Sequence, residues 1–135
     1  MHRQHRITAF TAAAAAVLTS AAMAAPTTPQ ALLESYAQAA ATRPDAKAGE
    51  NFFNATHGRE WSCASCHTAN PTRPGKHAST GKAIQPLAPA AEGVRFTDAA
   101  KSEKWFRRNC NDVLARECTA GEKANLLAWL VSLKP

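Results

Sequence analysis

Residues 61–67 read WSCASCH, and the last five of them form the pattern C-x-x-C-H. A cysteine pair at this spacing also occurs in zinc sites and thiol redox sites, but the adjacent histidine is specific for attachment of a c-type haem. A zinc site would need further ligands at suitable spacing, whereas Cys110 and Cys118 are separated by seven residues. The motif therefore predicts one covalently attached haem c, held by the thiols of Cys63 and Cys66, with His67 as an iron ligand.

The first 24 residues have the composition of a secretory signal. A basic stretch precedes an alanine-rich apolar run at 7–18, and the sequence Ala22-Met23-Ala24 follows, with small residues at the two positions that a signal peptidase reads. The apolar run is too short for a membrane span. We therefore expect residues 1–24 to be removed on export to the periplasm, where haem is attached to such motifs. Residues 25–135 would then form one small monohaem domain without a membrane span.

Composition limits the classes of partner. The formal net charge is +6, and loss of Arg3 and Arg6 with the signal would reduce it to +4. This excess is too weak and too scattered along the chain to indicate nucleic-acid binding. It suits an acidic protein partner or the haem propionates.

Helical patterns dominate the rest of the chain, and no stretch alternates convincingly as a strand. Apolar spacing and capping signals predict helices at 30–41, at 46–55, from Thr97-Asp98 toward Asn109, and after the T-x-x-E box that starts at Thr119. Residues rich in Pro, Gly, Thr and Lys predict a long loop at 68–89. We therefore expect an all-α fold with long loops around the haem.

The order of these helices resembles that of class I cytochromes c. The resemblance implies that Gly49 and Phe52 meet Trp129 where the terminal helices cross. If Phe52 and Trp129 were instead ordinary core residues, they would be buried in that case too.

Composition excludes methionine as the second axial ligand of the iron. Both methionines, Met1 and Met23, lie in the predicted signal. A second histidine, a lysine, a weaker ligand or an open site remains. His57 precedes His67 by ten residues and would need an awkward chain path to the opposite face, so we expect it at the surface or at a propionate. His77 lies in a flexible stretch that could cap the haem.

The helix that starts near Asp98 offers another ligand. Trp105, Phe106 and Asn109 share one face of this helix, because they are three or four residues apart. An aromatic pair of this kind suits the plane of a haem. Asn111 points about 200° away from Asn109 and is not an equivalent choice. Asn109 could equally be a polar residue near the end of the helix, which is a common arrangement.

Several segments resemble the sphaeroides haem protein (SHP) family, whose members are asparagine-ligated cytochromes c similar to class I. The matching segments are RFTD at 95–98, KWFRRNCNDVL at 104–114, ECT at 117–119 and the haem-edge loop GKAIQPLAP at 81–89. The resemblance implies that Asn109 is the axial ligand. It also implies that Cys110 and Cys118 form a disulfide.

The resemblance further implies a function. An amide oxygen binds ferric iron better than ferrous iron, so Asn109 would leave on reduction and open the haem to oxygen or nitric oxide. A dihaem cytochrome c would deliver the electrons. Whether the protein turns over a substrate, and so is an enzyme, is left open.

Two other functions are compatible with the sequence. One is a plain periplasmic electron carrier whose iron is six-coordinate in both redox states. The other is a redox protein whose chemistry resides in Cys110 and Cys118, although these two lack the close spacing that helps to lower a thiol pKa.

Overall fold

The computed structural model describes residues 26–135, so the predicted signal lies outside the described residues. The elements in chain order are α1 (Pro29–Ala40), α2 (Ala46–Asn54), α3 (Cys63–His67), β1 (Gly75–Lys76), β2 (Ala83–Ile84), α4 (Ala99–Leu114) and α5 (Ala120–Ser132). None of the helices in this part of the chain is long and apolar enough to cross a membrane. The fold is therefore mostly helical, as the sequence predicts.

The expected loop at 68–89 contains one feature that the sequence did not indicate. Strands β1 and β2 pair antiparallel, with Gly75 opposite Ile84 and Lys76 opposite Ala83. Each strand has only two residues, which is too short for an alternating pattern to be visible in the sequence. The expectation of no strand is therefore wrong at this one place.

Helices α4 and α5 begin at the residues that their capping signals predict. Asp98 caps α4 by accepting a hydrogen bond from the backbone N–H of Lys101 at 2.9 Å. Thr119 and Glu122 form a reciprocal capping box at the start of α5. Helix α4 is longer than expected, so Asn109 lies more than one turn before its end rather than near its terminus.

The crossing of α2 and α5 brings their backbones into direct contact. A Cβ atom added to Gly49 would lie 2.0 Å from the carbonyl oxygen of Asn125. The ring of Phe53, which is fully buried, lies 4.9 Å from that of Trp129, centroid to centroid. Gly49 therefore lies at the crossing as expected, but the aromatic partner of Trp129 is Phe53. Phe52, which was expected there, is only partly buried and lies against His57 instead.

Helix α4 is joined to the rest of the fold at several points. The predicted disulfide between Cys110 and Cys118 is present, with a Cα–Cα distance of 5.6 Å. The Phe106 ring lies edge-on to Tyr36 of α1 at 5.7 Å between centroids. These contacts hold α4 as one wall of a cavity whose other walls are α2, α3, α5 and the hairpin.

Candidate haem site

A cavity between α2, α3, α4, α5 and the hairpin has a volume of about 630 Å³, which is typical of a small-molecule or cofactor site. Its walls include the residues that the sequence predicts to hold the haem, to ligate its iron or to lie against its plane: Cys63, Cys66, His67, Trp105, Phe106 and Asn109. The structure therefore brings together residues that are up to 46 positions apart in the chain.

The cysteines and the histidine of the motif lie on one short helix. Helix α3 is closed at its N-terminus by a capping box, in which Ser62 N donates to Ser65 Oγ at 3.0 Å and Ser65 N donates to Ser62 Oγ at 3.3 Å. We did not anticipate these two serines, although Ser62 directly precedes the motif and serine is a common N-cap residue, while Ser65 lies within the motif. The box orients the first turn, from which Cys63 and Cys66 reach the cavity.

The β1–β2 hairpin lies directly against α3. A Cβ atom at Gly75 would lie 2.1 Å from the carbonyl oxygen of Cys66, so only glycine fits at this approach. Beyond it, Ala78 N donates to Cys66 Sγ at 3.3 Å. The hairpin therefore covers the side of the cavity at which Cys66 lies.

The segment 81–89, which resembles a haem-edge loop, does border the cavity. Lys82, Ile84 and Leu87 line it. Arg95 fastens the loop, because its Nε donates to Pro86 O and its Nη2 to Gln85 O, both at 2.8 Å. This arrangement places a fixed positive charge beside the cavity.

Burial sets the protonation states of the motif residues. Burial lowers the pKa of His67 to about 4, and the charge of Arg95 adds to this effect. The imidazole is therefore neutral at pH 7, the form in which histidine ligates metals. Its Nδ1 atom is buried and has no hydrogen-bond partner among residues 26–135. A buried imidazole with an unsatisfied nitrogen fits a metal-bound cofactor better than it fits an apolar core.

The two cysteines of the motif are not joined to each other. Burial raises the pKa of the Cys63 thiol to about 11. Redox-active thiols have lowered pKa values, which favour the thiolate. The environment of Cys63 therefore fits attachment to a cofactor better than thiol–disulfide chemistry.

Asn109 is half-buried on α4, and its side chain makes no hydrogen bond with any described residue. The neighbouring Asn111 is exposed, and its amide donates to the backbone oxygen of Arg107 at 3.0 Å. The two asparagines thus differ as the helix periodicity predicts. Among residues 26–135, only Asn109 presents a side-chain amide without a protein partner at the cavity.

The two other histidines of the described chain occupy different places. His57 lies outside the cavity lining, and its Nε2 is 2.8 Å from the backbone oxygen of Phe52. His77 does line the cavity, but its Nδ1 accepts a hydrogen bond from Thr80 N at 3.2 Å. It belongs to the hairpin that lies against α3, whereas Asn109 belongs to α4. Besides His67, Asn109 therefore offers an amide and His77 an imidazole at the cavity, while Lys82 and Lys101 also line it.

Comparison with known proteins identifies relatives of this chain. Residues 39–130 match a family described as a domain of unknown function (DUF1924). The chain is 49% identical over 121 residues to the cytochrome c-type protein SHP of Cereibacter sphaeroides, which covers 87% of this chain and 93% of that protein.

Two solved structures are similar to the fold. The structure of oxidized SHP, described as an oxygen binding cytochrome c, aligns with a TM-score of 0.76 and 48% identity, over 80% of this chain and 99% of that one. The solution structure of cytochrome c'' from Methylophilus methylotrophus, described as giving insights into the structural basis of haem-ligand detachment, aligns with a TM-score of 0.71 and 39% identity, over 79% of this chain and 94% of that one.

Proposed function

This chain belongs to the family of the cytochrome c-type protein SHP and to the DUF1924 family, and on that premise we propose that it is a periplasmic cytochrome that binds a diatomic ligand when reduced. As a cytochrome c, it carries a covalently attached haem c. When bound, the haem supplies an iron that changes between the ferric and ferrous states and accepts ligands on both faces.

The residues of α3 hold the cofactor. Cys63 and Cys66 form the two thioether bonds, and His67 ligates the iron as a neutral imidazole. Burial supports this assignment, because it keeps the imidazole of His67 unprotonated and the thiol of Cys63 protonated. The capping box at Ser62 holds the first turn of α3 in place, so that the three side chains keep fixed positions.

Asn109 is the second axial ligand, and it leaves when the iron is reduced. The single observation that carries this proposal is the half-buried amide of Asn109, which has no partner among residues 26–135 and lines the same cavity as His67. An amide oxygen is a hard, neutral and weak donor, which favours ferric iron over ferrous iron. After Asn109 withdraws, the cavity near α4 is bounded by the rings of Trp105 and Phe106, and a small apolar ligand can enter.

Oxygen or nitric oxide is the ligand that we propose, and a partner cytochrome, expected to be a dihaem cytochrome c, supplies the electrons. The description of the related SHP as an oxygen binding cytochrome c supports the choice of ligand. The solution structure of the related cytochrome c'' is described as giving insights into haem-ligand detachment, and this description supports a labile axial ligand.

A second candidate function is plain electron transfer with His77 as a permanent ligand. The observation in its favour is that His77 lines the cavity. Against it, Thr80 N donates to Nδ1 of His77, so the ring carries its proton on Nε2, the nitrogen that would have to bind the iron. In addition, the hairpin lies against the cysteine-bearing helix α3.

Optical and electron paramagnetic resonance spectra of four proteins test the proposal. Asn109→Ala should leave ferric iron five-coordinate or water-bound, while His77→Ala and the matched control Asn111→Ala should leave the ferric spectrum as in the wild type. The ferrous wild type should be high-spin and should bind carbon monoxide rapidly. A low-spin ferrous spectrum that ignores carbon monoxide, or a ferric spectrum altered by His77→Ala but not by Asn109→Ala, would establish the electron carrier instead.

A further inference from the structure

Behind one wall of the cavity lies a cluster of charged and aromatic side chains that the proposed function does not use. Phe106 borders the cavity, whereas Tyr36, Glu103 and Lys123 do not. The ammonium of Lys123 lies 5.7 Å from the centroid of the Phe106 ring and 5.4 Å from that of the Tyr36 ring. The Phe106 ring therefore lies between this ammonium and the cavity.

Three contacts hold the ammonium of Lys123 in place. Its Nζ donates a hydrogen bond to Glu103 Oε2 at 2.7 Å. The faces of the Tyr36 and Phe106 rings, which are edge-on to each other, attract a cation at these distances. Because the lysine side chain is enclosed on these sides, its positive charge keeps one position relative to Phe106.

The ion pair of Lys123 and Glu103 points its positive end inward. The side chain of Lys123 is 13% exposed, whereas that of Glu103 is 40% exposed. Glu103 is ionised at pH 7, because the hydrogen bond from Lys123 outweighs desolvation and lowers the pKa of this carboxyl. Burial raises the pKa of Tyr36, and Glu103 adds to this effect, so the phenol carries no charge. Water therefore screens the negative charge of the pair more than the positive one.

We propose that Lys123 is a positioning residue for the reduction of the haem: it holds one positive charge behind Phe106, and this charge favours the ferrous state. Reduction adds one electron from the donor to the haem and lowers the charge of the iron by one, while Lys123 keeps its proton. A nearby cation repels the ferric form more than the ferrous form, so it raises the reduction potential. The inference rests on the electron uptake in the proposed function, but not on which residue is the second axial ligand.

A purely structural ion pair between α4 and α5 is the alternative, and the burial of Lys123 argues against it. In the three other ion pairs within residues 26–135, the side chain of the cation is at least 50% exposed. Burial of a cation costs free energy through desolvation, and a contact that only joins two helices does not require this cost. With an aromatic ring rather than water between the ammonium and the cavity, the charge acts over a longer distance.

Spectroelectrochemical titration of the holoprotein at pH 7 tests the proposal. Lys123→Met removes the charge and keeps an unbranched side chain. It should shift the redox equilibrium toward the ferric form by about threefold, the effect of one unit charge roughly 12 Å away at an effective dielectric constant of about 40. This corresponds to a potential lower by about 28 mV, at about 59 mV for each tenfold change. Lys123→Arg keeps the charge and should retain the wild-type potential.

Glu103→Gln distinguishes an electrostatic role from a structural one. It breaks the same ion pair as Lys123→Met but removes a negative charge, so it should shift the equilibrium in the opposite direction, toward the ferrous form. The shift should be smaller, about twofold, because water screens the more exposed carboxylate. Lys47→Met is the matched control: it breaks the exposed pair with Glu50, outside the cavity lining, and should leave the potential unchanged. Far-ultraviolet circular dichroism checks that each variant is folded.

Three outcomes would overturn the role of Lys123. Shifts in the same direction for Lys123→Met and Glu103→Gln would mean that the ion pair only supports the packing of α4 on α5. A shift by Lys123→Met no larger than that by Lys47→Met would mean that the charge does not reach the haem. Loss of the opposite shifts in an Asn109→Ala background would mean that the charge acts only through that ligand.

The two proposals can fail separately. If Asn109→Ala leaves the ferric spectrum as in the wild type, the assignment of the second axial ligand is wrong. The opposite shifts of Lys123→Met and Glu103→Gln should appear even then, because they depend on the charge of the haem and not on the release of a ligand.

Discussion

The contact between α2 and α5 predicts the effect of adding one methyl group at Gly49. In Gly49→Ala the new Cβ would lie 2.0 Å from Asn125 O, whereas an ordinary contact is 3.4 to 4 Å. The helices would have to separate by more than about 1 Å at this point, because a backbone oxygen cannot rotate away. That separation would also lengthen the 2.8 Å hydrogen bond from Asp45 N to Asn125 Oδ1 and loosen the packing of Phe53 on Trp129.

The magnitude follows from two opposing effects. Overpacking against backbone costs about 3 kcal/mol, the upper end of the usual range. Alanine favours the helix over glycine by about 1 kcal/mol. We therefore expect Gly49→Ala to lower the free energy of unfolding by about 2 kcal/mol.

Guanidinium denaturation of the holoprotein, followed by far-ultraviolet circular dichroism, measures this change. Gly121→Ala is the matched control, because Gly121 also lies in a helix and an added Cβ would have no neighbour closer than 3.8 Å. It should raise the free energy of unfolding by about 0.5 to 1 kcal/mol. If Gly49→Ala is as stable as the wild type while Gly121→Ala behaves as expected, the close helix crossing is wrong.

Two further predictions concern the attachment of α4. Replacing Cys110 and Cys118 together by alanine should lower the free energy of unfolding by about 2.5 kcal/mol, because the bridge spans eight residues; an unchanged denaturation midpoint without reductant would contradict this. The Lys123–Glu103 ion pair, at 2.7 Å, joins α5 to α4. Desolvation by burial tends to raise the pKa of Glu103, but the hydrogen bond from Lys123 outweighs it, so the pKa of Glu103 is lowered. The pair therefore stabilises the fold above the ordinary carboxyl pKa of 4.5 and ceases to do so as the pH falls through the lowered value. Lys123→Met should cost about 0.5 kcal/mol at neutral pH, and this difference should shrink in denaturation curves taken from about pH 5 toward pH 3; a pH-independent difference would exclude the ion pair as its source.

The features that could be predicted depend on residues close together in the chain. The capping box of Thr119 and Glu122 and the cap at Asp98 were both predicted at the right residues, because each consists of hydrogen bonds within one helical turn. The motif C-x-x-C-H is equally local. Helix periodicity alone predicted that Asn109 and Asn111 face different directions. In the structure Asn109 lines the cavity, whereas Asn111 does not and bonds to the backbone of Arg107 instead.

The features that only the tertiary structure decided depend on residues far apart. Periodicity places Phe52 and Phe53 on adjacent faces of α2, but only the close approach of Gly49 to α5 selects Phe53 as the partner of Trp129. Each strand of the hairpin has only two paired residues, which is too few to produce an alternating pattern in the sequence. The position of the hairpin depends on the contact of Gly75 with α3. A local sequence pattern reports which face of an element is apolar, whereas the free energy that selects its partner comes from packing between segments that the chain brings together only on folding.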